Sequence, residues 1–318
     1  MPGSRQSFGS EIRHRASRFL FAVNTLFYEF FMFLASLLPQ GLAFRIARQV
    51  GTLRYKRRRR GVRCYEARMA SVLQVNSEQA KSCLKRSFEL AACEDLERCL
   101  YPRITRERVL KLIEIRGLES LGSALDRRGG AILYSPHVRG EFTAFAALGL
   151  LGYKPHVVGR PPWCLDEHRM ERRLYESRNA HLRPRADCDF MWMHPTNFGV
   201  AVQAAHALAR NEVVTVAIDN TFFEQNVEAR FLNRVGRFPS GPILMSQTSR
   251  APLLSLFIHR ENNWTPQIAD IGPPFYASED IVGSVQHCVS QLEEKILQHP
   301  SSWSLWLFPE WRWWHGLG

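Results

Sequence analysis

The stretch from Ala131 to Leu151, AILYSPHVRGEFTAFAALGLL, constrains the fold more than any other part of the chain. A short apolar run, Ala131 to Tyr134, stops at Ser135-Pro136. His137 and Glu141 follow, and then a long run rich in Ala and Leu. A brief, wholly apolar run bounded by a turn reads as a buried strand, and the longer run after it as a helix. Strand, tight turn and helix in direct succession belong to α/β layering, where working groups lie beyond the carboxyl ends of strands. His137 is placed at such an end.

With a helix beginning near His137, Glu141 falls one turn on, on the same face. A carboxylate beside an imidazole selects its tautomer and stabilises its protonated form. A general base needs this to take a proton from an alcohol. The spacing alone is weak, because the chain has 11 His and an ordinary i, i+4 pair reads the same way.

The rest of the chain extends the α/β pattern. Asn76-Ser77-Glu78-Gln79 is a helix start, with Asn76 as cap and Gln79 three residues on. Ala80 to Leu100 then has helical spacing. Strands are expected at Leu110 to Ile115, Ala131 to Tyr134, His156 to Gly159, Val213 to Ile218, Leu253 to His259 and Gln267 to Ile271. A last strand is expected at Ser304 to Leu307. Helices are expected at Glu119 to Leu125, Phe142 to Leu151, Glu167 to Arg178, Val200 to Leu208 and Ile281 to His299. This alternation predicts an α/β fold: a mixed, largely parallel sheet with helices on both faces.

Ahead of it, Phe19 to Leu38 is an almost wholly apolar run of about 20 residues, long enough to cross roughly 30 Å as a helix. Asn24 and Glu29 interrupt it, so it either lies in the membrane interface or spans with Glu29 protonated or paired. Phe19, Phe21, Phe27, Phe30, Phe31 and Phe33 are spread around the helix rather than along one stripe. Arg54 and Lys56 to Arg60 follow and favour anionic lipid. The expected organisation is residues 1–60 as basic tail, apolar anchor (19–38) and basic flank, and residues 61–318 as the catalytic domain. The excess of cations after the anchor puts that domain on the cytoplasmic side.

The net charge is +12, from 42 Lys and Arg against 30 Asp and Glu, so an anionic partner is expected. Seven scattered Cys, odd in number and without a C-x-x-C, fit a reducing compartment. There is no zinc-ligand spacing, no Walker A loop and no G-x-G-x-x-G between strand and helix, so neither metal nor cofactor is expected. Nucleic acid is suggested by charge alone, with no supporting motif, and is not the expected partner.

In order and motifs the chain resembles the bacterial lipid A late acyltransferases of the lauroyl/myristoyl type, within the lysophospholipid acyltransferase superfamily. The resemblance runs from the apolar anchor to about Arg312. Ser77-Glu78-Gln79 opens the helix, and Gly129-Gly130 leads through a strand to the His of the family motif, His137. Leu151-Gly152-Tyr153 ends the next helix, and Arg160-Pro161 ends the following strand. Ala217 and Asp219 close another strand; Gly236-Arg237, Gly241-Pro242, His299-Pro300 and Trp303 with Trp306-Leu307 follow in order. Two departures stand out. The family motif is H-x4-D/E, whereas here it is H-x3-E, and the closing Trp-x-His-Arg-Arg is here Trp306-Leu307-Phe308-Pro309-Glu310.

The resemblance implies transfer of a fatty acyl group from an acyl thioester to a hydroxyl of a membrane lipid, at the cytoplasmic face of the inner membrane. The donor is acyl carrier protein or acyl-CoA. The acceptor is a lipid A precursor or related glycolipid, with lysophospholipid and amino lipid as alternatives. His137 and Glu141 would be catalytic, and Arg139, Arg160 and Asp219 would contact or order substrate. Arg139 has substrate phosphate or solvent as equal alternatives, and Asp219 has a positioning role toward His137 or a loop. The shortened motif leaves open a catalytically inactive relative acting as a membrane scaffold. The C-terminal Trp cluster is expected to close the core or rest at the membrane interface.

Overall fold

The computed structural model describes residues 27–57, 59–159, 180–193, 199–219, 225–261 and 266–307. The strands are β1 (Ile113–Arg116), β2 (Ala131–Ser135), β3 (Pro155–Gly159), β4 (Asp189–Trp192), β5 (Val213–Ala217), β6 (Asn226–Phe231), β7 (Arg234–Pro239), β8 (Leu253–His259) and β9 (Gln267–Ile271). The helices are α1 (Gln40–Arg57), α2 (Arg59–Leu73), α3 (Ser77–Arg98), α4 (Arg106–Leu110), α5 (Leu118–Leu125), α6 (Glu141–Leu150), α7 (Leu182–Ala186), α8 (Gly199–Ala209), α9 (Gly241–Ser249) and α10 (Ile281–Gln298).

Seven strands form one sheet in the order β1-β9-β8-β2-β5-β3-β4. All neighbours are parallel except β8 and β9, so the sheet is mixed and mostly parallel, as the alternation predicts. β2 lies at the centre between β8 and β5, and all five of its residues are buried. That is why Ala131 to Tyr134 is apolar without alternation: both faces are covered. α6 packs near β1 and β3, α8 lies against β5, and α9 and α10 lie against β8.

α3 starts where the sequence places a helix. The Asn76 side chain accepts from the Gln79 N–H, and the Gln79 side chain accepts from the Asn76 N–H, a complete capping box. α1 lies along α3 so closely that a Cβ at Gly51 would sit 2.5 Å from Glu89 Cα. Only a glycine permits that approach. Residues 40–57, which include part of the basic flank, thus pack onto the same body as the sheet.

Three local expectations are corrected. Ser304–Leu307 is a 3₁₀ turn following a second one at Pro300–Ser302, not a strand. The turns fold Trp303 and Trp306 into the core. The helix after β2 begins at Glu141, not near His137, because Gly140 at φ +88° ends the turn in the left-handed region. β1 begins at Ile113, after the short α4 has taken up Leu110. The expected helix from Glu167 to Arg178 lies outside the described residues.

The sequence reading passed over the β6–β7 hairpin. Its turn residues Leu232 and Asn233 both have positive φ, the signature of a type I′ turn. The Asn-Gly pair that usually announces such a turn is absent. Glu293 and Gln286 of α10 hold it from outside, accepting from the Leu232 and Arg230 N–H groups at 2.8 and 2.7 Å.

At the N-terminal edge, residues 27–35 are helical. Met32 and Ala35 of this segment are buried in a small second core with Ala43, Phe44, Ala47, Cys93 and Leu96. Tyr28 donates to Asp95, and Arg54 joins the same pair. The opposite side exposes Phe27 (71%), Phe30 (60%), Phe31, Phe33 and Leu34. In this part the aromatic residues therefore form an exposed face over a buried one. The first half of the expected anchor, residues 19–26, lies outside the described residues. Among the described residues no helix is long and apolar enough to cross a membrane.

Candidate active site

β2 and β5 are neighbours in parallel register, with Ser135 opposite Ala217. Each strand ends there, and two residues on stand His137 and Asp219. The register therefore delivers the two side chains to the same point of the sheet edge. His137 Nδ1 lies 2.6 Å from Asp219 Oδ1. Asp219 Oδ2 accepts from the His137 backbone N–H at 2.7 Å and from the Trp303 indole N–H at 2.7 Å. One carboxylate thus fixes both the ring and the main chain of the histidine.

The C-terminal turns complete the cradle. Ser304 donates its N–H and its hydroxyl to the His137 carbonyl, both at 2.8 Å. Arg139 N–H donates to the Ser302 carbonyl at 2.9 Å, and Val138 bridges to Trp303. Trp303 is 1% exposed and meets Phe231 of the hairpin and Trp306 edge-on. The Trp cluster, as far as it is described, closes the core, and Trp303 also serves Asp219.

Asp219 is 1% exposed, whereas the His137 side chain keeps 31% of its surface. Burial disfavours the imidazolium, but the Asp219 carboxylate outweighs it and Glu141 adds to it, raising the His137 pKa to about 9. With Nδ1 held by Asp219, Nε2 is the ring nitrogen outside that pair. Among the described residues it has no hydrogen-bond partner.

The structure brings Glu141 beside this pair but gives it a different place from the one the spacing implies. It is the first residue of α6, where a carboxylate also faces the positive end of the helix dipole. Burial, with Glu94 and Asp219 nearby, raises its pKa to about 7, while His137 and Arg98 pull it down. It is coupled to His137 through charge. The hydrogen bond that fixes the tautomer comes from Asp219, on a strand the sequence leaves 82 residues away.

The Arg139 side chain is 18% exposed and pairs with Glu94. Its Nη1 donates to Glu94 of α3 at 3.1 Å. Arg160 lies outside the described residues, as do Asn220, Thr221, Arg169, Arg172, Arg173 and Arg178; Arg183 is paired with Asp189 on the surface. Sequence reasoning missed Trp303 as a partner of Asp219, Ser302 and Ser304 as holders of the loop, and Glu94. The first three come from a distant turn that the resemblance places in order through His299-Pro300 and Trp303 but gives no part at the site. Glu94 had a faint signal, since a helix with apolar spacing also carries Glu89, Glu94, Asp95 and Glu97.

Among the described residues no group of three or more His, Cys, Asp or Glu is placed to hold a metal ion. The arrangement is a hydrogen-bonded His–Asp pair with a second carboxylate close by, open on the Nε2 side. Such a pair takes a proton from a hydroxyl and returns it to a leaving group. A model of the bacterial lipid A biosynthesis acyltransferase family matches residues 11–313 of the chain. No curated protein matches it.

Proposed function

Because the chain belongs to the bacterial lipid A biosynthesis acyltransferase family, we propose that it moves a fatty acyl group from an acyl thioester to a hydroxyl of a lipid A precursor or related glycolipid. The observation that carries the reading is the His137–Asp219 pair at the joined ends of β2 and β5, with Nε2 free for the acceptor. An alcohol is a poor nucleophile at neutral pH. His137 Nε2 removes its proton as the oxygen attacks the thioester carbonyl. The C–S bond then breaks, and the imidazolium returns the proton to the departing thiolate. Asp219 keeps Nδ1 protonated and balances the imidazolium, and Glu141 adds negative charge beside it. General-base assistance of this kind is worth ~10²–10⁴-fold. The N–H groups at the start of α6 are candidate donors for the tetrahedral oxyanion, apart from that of Thr143, which donates to the Gly140 carbonyl at 3.0 Å.

The donor in this reading is acyl carrier protein or acyl-CoA. The net charge of +12 and the Arg residues after Arg160 favour the acidic carrier protein. The exposed Phe27, Phe30, Phe31 and Phe33 support attachment to the inner membrane, with the catalytic domain on its cytoplasmic face. The test is purified protein with acyl carrier protein or CoA thioesters of defined length and lipid A precursors, read by lipid mass spectrometry. A product heavier by one acyl group, absent with His137→Ala, is expected. An unchanged product yield with His137→Ala sinks the assignment of the base.

A further inference from the structure

The helix α3 buries three carboxylates, Glu89, Glu94 and Glu97. A buried carboxylate is costly unless fully partnered, so each calls for a reason. Glu97, with no exposed surface, ties the layers together. It accepts from Arg260 and Gln267 at 2.6 Å and from Thr143 at 3.1 Å. The partners of Glu94 lead elsewhere. Its Oε1 accepts from Arg98 Nη2 at 2.9 Å and its Oε2 from Arg139 Nη1 at 3.1 Å. The Gly140 backbone N–H faces the same carboxylate and helps to keep it ionised. Arg139 and Gly140 are two of the three residues between His137 and Glu141. A side chain 45 residues earlier thus holds the segment that separates the base from the second carboxylate.

A second buried carboxylate, Glu97, bears on the same segment. Gly140 stands at φ +88°, and a Cβ there would run into the Gln267 side chain, which Glu97 holds from behind. The groups facing Glu141 are His137 from the loop, Glu94 and Arg98 from α3, and Asp219 from the end of β5. Glu94 is itself kept ionised: burial pushes its carboxyl up, but Arg98 and Arg139 hold it below its ordinary value.

We propose that Glu94 is a positioning residue for acyl transfer: through Arg139 and Gly140 it sets the path of the loop, and with it the approach of Glu141 to His137. This rests on the acyl-transfer reading above. Glu94 bonds to the loop and not to the His137 ring, and its charge also bears on Glu141.

Glu94→Gln keeps the shape and an acceptor oxygen but removes the charge. It is expected to lower kcat by ~10–100-fold, because small misplacements of reacting groups cost that much. Donor and acceptor KM stay within about twofold. With one negative charge less beside it, Glu141 ionises more readily, so the Glu141 limb of the kcat profile, near pH 7 and below the His137 limb near pH 9, moves to lower pH. Glu94→Asp keeps the charge and should leave that limb where it is. Arg139→Gln should reproduce the kcat loss, and the double variant should be no slower than the slower single one. A merely structural role would lower the melting temperature without moving the limb. Wild-type kcat in Glu94→Gln, an unmoved limb, or full additivity with Arg139→Gln would each overturn the proposal.

A readout independent of turnover separates this from the function itself. Modification of His137 by diethyl pyrocarbonate, followed by peptide mass spectrometry, should speed up in Glu94→Gln as the loop loosens. An unchanged rate overturns the positioning role. Wild-type protein that transfers no acyl group from any thioester tested would instead overturn the acyl-transfer reading.

Discussion

The indole N–H of Trp303 donates to Asp219 Oδ2 at 2.7 Å, while the other oxygen of that carboxylate holds the His137 ring. A residue from the last described turn therefore orders the base through the carboxylate between them. Trp303→Phe preserves most of the packing and removes the donor. Loss of one partner from a buried charged acceptor should cost about 1–3 kcal/mol of stability. Asp219 would gain rotational freedom, and kcat should fall by ~10-fold. Melting curves beside steady-state rates check both. An unchanged kcat would mean that the indole serves the core alone.

The second expected outcome concerns pH. A general base works only when unprotonated, and the His137 pKa is raised to about 9. Activity in kcat/KM should therefore rise from neutrality through about pH 9. Asp219→Asn removes the carboxylate that raises it, so the midpoint should drop toward or below the ordinary imidazole value of about 6.5. Its maximal rate should fall steeply as well, because the tautomer is no longer fixed. For stability the sign is opposite. A raised histidine pKa contributes fully below about pH 6.5 and is lost as pH rises through about 9. The melting-temperature gap between wild type and Asp219→Asn should narrow over that window.

Gly140 tests the loop from the backbone side. Gly140→Ala places a Cβ at φ +88°, which costs roughly 1–2 kcal/mol in the left-handed region, and drives it into Gln267. Activity should be lost with a clear fall in melting temperature. Adding Gln267→Ala relieves the collision but not the dihedral cost, so recovery should be partial. Full activity of the single variant would show that the loop tolerates another path.

Membrane attachment is tested on the exposed aromatic face. Phe27, Phe30 and Phe33 changed together to Ser remove large exposed apolar groups without touching Met32 or Ala35, which are buried. Partition into anionic vesicles, measured by flotation, should fall by at least ~10-fold while the melting temperature holds. Wild-type flotation in the triple variant would remove this face from the membrane contact.

A soluble acyl carrier protein steered by charge should give rates that fall with salt, since exposed charges are screened over ~8–10 Å. Arg169, Arg172 and Arg173 changed to Glu should raise donor KM more than they lower kcat. An unchanged donor KM would leave those charges as an ordinary solvated face.

The sheet was legible in advance because burial on both faces leaves its mark on each strand separately. β8 and β9 fall at the residues their apolar runs predict, and β2 and β5 lie within one residue of theirs. The start of α3 was legible for a similar reason: a capping box is a local pattern, complete within four residues. His137, Asp219 and Glu141 could each be singled out, as residues that end strands or open helices. Their geometry could not, although the resemblance offers positioning of His137 as one of the alternatives for Asp219. Spacing along the chain pairs His137 with Glu141, whereas the lateral register of β2 on β5 pairs it with Asp219. Register is set by packing across strands, and no stretch of sequence contains both sides of it. The same holds for Trp303 and Glu94, which reach the loop only after the C-terminal turns and α3 have packed beside β2. Local residues therefore determined which elements form and which side chains are available. The tertiary structure decided which carboxylate meets the imidazole, because hydrogen bonds act over about 3 Å in space and take no account of distance along the chain.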